Sequence, residues 1–251
     1  MNKNSNIYQI VYAAVMVVLV GAVLAFIYMA LKPQQDENIA NDKRRQILSA
    51  LHVASPDDAS IKATFEQCIV QDMLIDTLGN VVDTTLNVAF DVEMKKNMKE
   101  ARESRVLPVF KALKDGETKY VIPVYGAGLW GPIWGYVAVN ADGKTIYGAN
   151  FSHESETPGL GARITEPEFQ ARFDGKTFYP EGEDFHSVEV VKVGQKSLTG
   201  ADAVDAISGA TITSRGVGSM IAECITPYDA FLKKLQQLVA TPLDEGENNE
   251  E

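Results

Sequence analysis

Asp205-Ala206-Ile207-Ser208-Gly209-Ala210-Thr211-Ile212-Thr213-Ser214 is the stretch on which the reading of this chain turns. Ser208, Thr211, Thr213 and Ser214 place four hydroxyls in seven residues, with Gly209 and Ala210 between them, directly before an apolar pattern of helical period. Small residues let a ligand approach the backbone closely, and the unpaired amides of a helix start favour an anion, so the run has the chemistry of a phosphate site. Ser and Thr are also the ordinary capping residues of helices, and on spacing alone a plain helix N-terminus accounts for the run equally well.

The pattern Asp205-x-x-Ser208-Gly209-Ala210-Thr211 resembles, at every position, the flavinylation motif of the FMN-binding domain family of respiratory subunits. Two further stretches, Gly128-Leu129-Trp130-Gly131 and Glu156-Thr157-Pro158-Gly159-Leu160-Gly161, together with an apolar N-terminal segment, are similar in content and order to the family of C subunits of sodium-translocating NADH:quinone reductases. The resemblance implies FMN joined to Thr211 through a phosphoester bond, with Asp205, Ser208, Gly209, Ala210 and Thr213 around the attachment point. It places Leu129, Trp130, Glu156, Thr157, Pro158, Gly159 and Leu160 in the walls of the flavin pocket. A separate flavin transferase would make the bond. The flavin would relay electrons between other subunits of a membrane complex that oxidises NADH, reduces ubiquinone or another quinone and exports sodium. The domain would face the periplasm from a bacterial inner membrane. The G subunit of Rnf-type ferredoxin:NAD complexes shares the attachment motif and an anchor but lacks the Gly-Leu-Trp element, so Gly128-Leu129-Trp130 favours the first family. A membrane-tethered binding module, with the hydroxyl run as a mere helix cap, is the reading from a different class.

The 251 residues are 45% hydrophobic, enough for one packed domain beyond an anchor, and the net charge of −11 would repel nucleic acid and anionic lipid surfaces. Cys68 and Cys224 stand far apart with no Cys/His cluster, which supports neither an iron-sulfur centre nor a zinc site and leaves a disulfide open. There is no Ser-His-Asp order with supporting context, no paired carboxylates in a defensible cleft and no dinucleotide fingerprint for NADH. A flavin relay needs none of these, because the cofactor takes electrons one or two at a time and the protein holds and tunes it.

Residues 1–9 form a short tail, and Ile10–Leu31, 22 residues without charge, spans roughly 33 Å as a helix, enough to cross a bilayer core. The stretch exceeds a signal-peptide core and lacks a clear cleavage site, so it reads as a retained transmembrane helix. Lys32, Lys43, Arg44 and Arg45 follow it, and basic-residue counting alone would put the domain in the cytoplasm, against the family. Residues 32–43 read as a polar linker, 44–239 as the FMN-binding domain and 240–251 as an acidic disordered tail.

Within the domain the expected fold class is α+β, a twisted, largely antiparallel sheet with flanking helices. Arg44–Leu51 has helical spacing, and Ser55-Pro56-Asp57-Asp58 predicts the cap and first turn of a helix running to about Val70. Strand patterns fall at Leu74-Ile75 and Val81-Val82 around Gly79-Asn80, at Leu86–Val92, Tyr120–Val124, Ile133–Val139, Thr145–Phe151 and Val188–Val193. The charged segment Met94–Arg105 reads as solvated surface, and Asp142-Gly143 as a hairpin turn. A short helix starts at Thr165–Glu168, another covers about Ser214–Cys224, and a last one Asp229–Val239 beyond Pro227. Gly126–Gly135 reads as a glycine-rich loop whose tryptophans, taken singly, are more often core filling; the resemblance implies Trp130 as a pocket residue, with Trp134 as support. His153 is read as a hydrogen-bonding or surface histidine.

Overall fold

The computed structural model describes residues 6–54, 57–180, 184–197 and 199–240. It resolves into two units, residues 1–43 and 44–251. The first is built on helix α1 (Asn6–Ala50), which holds an 18-residue window of mean hydropathy 2.9 with its side chains exposed. It is long and apolar enough to cross a bilayer once, and it is the membrane anchor of the chain. The linker expected over 32–43 is not an irregular connector. α1 passes through Pro33 without ending. Proline removes one backbone donor, but Lys32 Nζ donates to Asp36 Oδ1 at 2.8 Å across it, and the following Gln, Glu, Asn and Ala residues keep the helix going.

The second unit is an antiparallel six-stranded sheet of order β2-β1-β3-β4-β5-β6. Its strands are β1 (Ile69–Ile75), β2 (Val81–Asp83), β3 (Leu107–Lys114), β4 (Glu117–Ala127), β5 (Pro132–Asn140) and β6 (Ile146–His153). Both faces are covered. Val109, Ile122 and Val137 point into a core with helices α5 (Thr211–Ile225) and α6 (Asp229–Ala240), while their neighbours Phe110, Val121 and Tyr136 point into a second core with Ile47, Ala50 and Leu51. Helix α2 (Ile61–Cys68) adds Phe65 to that second core. A sheet buried on both faces reads as apolar runs without clean alternation, which is why β3 and the ends of β4 are hard to see in the sequence. β3 and β4 meet at Asp115-Gly116, with φ of 53° and 83°, the left-handed pair of a two-residue hairpin turn.

Several local expectations are corrected. Leu86–Val92 is a succession of turns and not a strand: Asn87 has φ 65°, and the Asp72 carboxylate accepts the Ala89 and Phe90 amides at 3.0 and 3.3 Å, which draws the backbone away from any ladder. The second helix ends at Cys68 instead of Val70, because β1 already begins at Ile69, which pairs with Ala112; the cap expected at Ser55-Pro56 and the acidic tail lie outside the described residues. Gly126, Ala127 and Trp134 belong to β4 and β5, so the loop shrinks to residues 128–131. The strand at 188–193 is only β7 (Glu189–Val191), paired in parallel with β8 (Ala203–Asp205). Met94–Arg105 lies at the surface as expected, with no buried residue, and carries the one-turn helix α3 (Met94–Asn97). The short helix near Thr165 is α4 (Pro167–Gln170).

Candidate functional site

β8 ends at Asp205, and the chain turns through Gly209 at φ 80°, a left-handed conformation that glycine adopts without strain, into α5. The helix begins at Thr211, three residues earlier than the apolar period alone indicates, with Ala210 in the capping position and no side-chain capping bond. The hydroxyls are therefore not the helix cap. Ser214 Oγ donates to Ala210 O at 2.8 Å and accepts from the Ile207 amide at 3.0 Å, locking the turn from inside. Thr213, 1% exposed, donates to Glu156 Oε2 at 2.7 Å. Thr211 lies at the first helical position on the wall of a cavity of about 290 Å³. Its hydroxyl makes no hydrogen bond among the described residues. Ser208 is exposed beside it.

Glu156 ties the three sequence motifs together. It follows β6 on a tight loop in which its own amide donates to His153 Nδ1 at 3.2 Å, giving the histidine a positioning part that its spacing does not reveal. Its side chain is 4% exposed, with Oε1 accepting the Trp130 amide at 2.8 Å and Oε2 accepting Thr213. The loop between β4 and β5 closes by a 2.8 Å bond from the Gly128 amide to Gly131 O, and Ser155 Oγ donates to Trp130 O at 3.1 Å. A Cβ at Gly128 or at Gly161 would collide with the Glu156 carboxylate, so these two glycines make room for the buried acid.

Leu129, Trp130, Glu156, Thr157, Leu160, Gly209, Ala210, Thr211 and Thr213 line this one cavity. Gly161 and Ile212 line it too; neither was among the expected contacts, though Gly161 closes the quoted Glu-Thr-Pro motif. Pro158 and Gly159 lie exposed in the same loop, Gly159 at φ 76°, and shape the turn without lining the cavity. Asp205 is also off the wall. Its carbonyl accepts Arg172 Nη1 at 2.9 Å and its carboxylate the Gly194 amide at 3.3 Å, so it holds the approach to α5.

The surroundings fit FMN. Trp130 is 66% exposed and Ile212 62%, with Leu129 and Leu160 nearly half exposed, an apolar rim on a cavity whose floor is a helix start. Trp130 is thus not core filling. A cavity of about 290 Å³ lies at the small end of ligand sites, ~300–1,000 Å³, and opens onto this apolar rim. Trp134 stays a supporting residue, its indole nitrogen donating to Gln46 at 3.1 Å. Cys68 and Cys224 are free thiols; burial pushes the Cys224 thiol up to about 11, so it is not a reactive thiolate.

Comparison with known proteins agrees with this geometry. The FMN-binding domain family matches residues 128–226, from the first cavity loop to the end of α5. The C subunit of the Na(+)-translocating NADH-quinone reductase of Pseudomonas aeruginosa is 30% identical, with 94% of this chain and 98% of the relative aligned. The crystal structure of the same reductase component from Parabacteroides distasonis superposes with a TM-score of 0.73 at 42% identity, covering 80% of this chain and 96% of that one. The crystal structure of Shewanella oneidensis NqrC gives 0.64 at 30% identity, covering 79% and 98%. The class is an FMN-binding domain on a membrane anchor. The chain belongs to the family of Na(+)-translocating NADH-quinone reductase C subunits.

Proposed function

We propose that this chain is the electron-relay subunit of a membrane sodium-pumping NADH:quinone oxidoreductase and that it carries FMN esterified to Thr211. The observation that carries the proposal is the division of labour among the hydroxyls: Thr213 and Ser214 are spent on internal bonds, while Thr211 faces the cavity at the start of α5. A flavin transferase supplies an activated flavin nucleotide. The Thr211 Oγ1–P bond forms, the bond from that phosphorus to its leaving group breaks, and the hydroxyl proton is lost, for a net adduct of FMN minus water. The amides of the first turn of α5 favour the resulting phosphodiester anion. Bound FMN supplies one- and two-electron transfer, and the rim residues Trp130, Leu129, Leu160 and Ile212 hold the ring and keep water off one face. A full-length chain coexpressed with a flavin transferase should run on a denaturing gel as a flavin-fluorescent band, and the Thr211→Val chain as a dark one. A fluorescent Thr211→Val band would refute the assignment.

We further propose that the domain lies on the periplasmic side of the inner membrane. A covalent bond prevents loss of cofactor where no soluble FMN pool replaces it, and this outweighs the basic residues after the apolar segment. A Glu103→Cys variant lacking Cys68 and Cys224 should react with a membrane-impermeant maleimide on intact spheroplasts, since Glu103 is exposed. Labelling only after lysis would place the domain in the cytoplasm.

A further inference from the structure

We propose that the buried carboxylate of Glu156 sets the redox potential of the flavin and holds it low. The inference rests on the reading that FMN occupies the cavity at Thr211, and it assigns a use to the charge that the cavity wall carries. Among the described residues lining the cavity, Glu156 is the only one that ionises. It is 4% exposed, and the two donors it accepts from, the Trp130 amide at 2.8 Å and the Thr213 hydroxyl at 2.7 Å, are both neutral. It makes no ion pair among the described residues. Arg163, two residues beyond Gly161, pairs with Glu166 at 2.9 Å, and Arg172 with Glu168 at 3.3 Å. The His153 ring meets the backbone amide of Glu156 and not its carboxylate.

A strut between the motifs does not require that charge. Glutamine has the same length, could accept the Trp130 amide through its oxygen and donate to Thr213 through its nitrogen, and would avoid the cost of burying an ion. The placement of the carboxylate gives the charge a purpose. One oxygen is bonded to the rim residue with the exposed indole and the other to the residue two positions past Thr211, so the charge backs the wall between the attachment point and the rim. Reduction adds negative charge to a flavin, and a fixed anion shielded from water opposes it. Over ~10 Å at an effective dielectric of ~20, a unit charge shifts a one-electron equilibrium about tenfold, equivalent to about 59 mV. The sign follows: Glu156 disfavours the reduced flavin and makes it the better electron donor.

The test is a spectroelectrochemical titration of the full-length flavinylated chain in detergent. Glu156→Gln should shift the equilibrium about tenfold toward reduced flavin, raising a one-electron midpoint by about 59 mV. Glu156→Asp keeps the charge and should stay close to the unsubstituted protein. Glu154→Gln removes the same formal charge from an exposed position two residues away and should leave the midpoint where it was. A Glu156→Gln midpoint that is unchanged or lower, or an equal rise in Glu156→Asp or Glu154→Gln, would overturn the proposal. Where Glu156→Gln does not retain the flavin, the unsubstituted protein labelled with carbon-13 at its glutamate carboxyls decides. Its oxidised-minus-reduced infrared spectrum should carry a label-sensitive carboxylate band, and the absence of that band overturns the proposal. Failure of the attachment reading looks different: Thr211 is unmodified by mass, and the same midpoints are then read on FMN bound without the ester.

Discussion

The hydroxyls at the two ends of the run are used differently. Thr213 and Ser214 are buried and bonded to Glu156, Ala210 and Ile207, whereas Ser208 is exposed and Thr211 opens on the cavity. The same side-chain chemistry thus builds the site at one end and serves it at the other. What separates the two is the early start of α5, which turns residues 213 and 214 inward beneath residue 211. The difference teaches that a motif rich in hydroxyls need not offer all of them to a ligand: among the described residues the hydroxyls of Ser208 and Thr211 are left unbonded, and of these two only Thr211 lines the cavity.

Substitutions can break this comparison at either end. The largest effect belongs to Thr211→Val, which should remove the whole flavin adduct while leaving the melting temperature of the unloaded chain within about 1 °C, since a partly buried hydroxyl with no hydrogen-bond partner among the described residues contributes little to stability. Ser208→Ala should still be flavinylated under the same coexpression, and its loss of the adduct would move the acceptor or make Ser208 essential. Next comes Gly161→Val. Its Cβ would press on the Glu156 carboxylate and approach Thr213 Oγ1 to 2.8 Å, at a cost of about 3 kcal/mol, read as a fall in denaturation midpoint. Thr213→Val deprives Glu156 Oε2 of its donor and should cost about 2 kcal/mol, yet retain an adduct on Thr211 in whatever protein folds. An adduct that vanishes in folded Thr213→Val would erase the proposed division. The smallest effect on stability is that of Trp130→Ala, below about 1 kcal/mol for so exposed a side chain, but the attached flavin should tumble more freely and its fluorescence anisotropy should drop.

The same contrast explains what could be read from the residues alone. The hairpin of β5 and β6 is legible because Asp142-Gly143 punctuates two β-rich runs, and α6 because Phe231, Leu232 and Leu235 fall on one face. β3 is not, since Pro108, Val109 and Phe110 feed both faces of a doubly covered sheet and follow a charged stretch, although Asp115-Gly116 marks its hairpin. Leu86–Val92 misleads in the other direction: its alternation suits a strand, but the distant Asp72 carboxylate captures its amides. At the site, the three motifs are visible as sequence, and their meeting is not. It depends on a single buried acid, Glu156, bonded to residues 26 and 57 positions away in opposite directions along the chain. Ile212 escapes notice for a simpler reason, since an apolar residue between hydroxyls looks like helix core until α5 turns it outward at 62% exposure.

The most direct measurement is tandem mass spectrometry of the full-length chain after coexpression with a flavin transferase, digested so that residues 205–215 lie in one peptide. Attachment at Thr211 predicts an added mass of FMN minus water with fragment ions that place it on that residue. The same mass on Ser208 or Thr213, or an unmodified peptide from a chain that is otherwise folded, would contradict it.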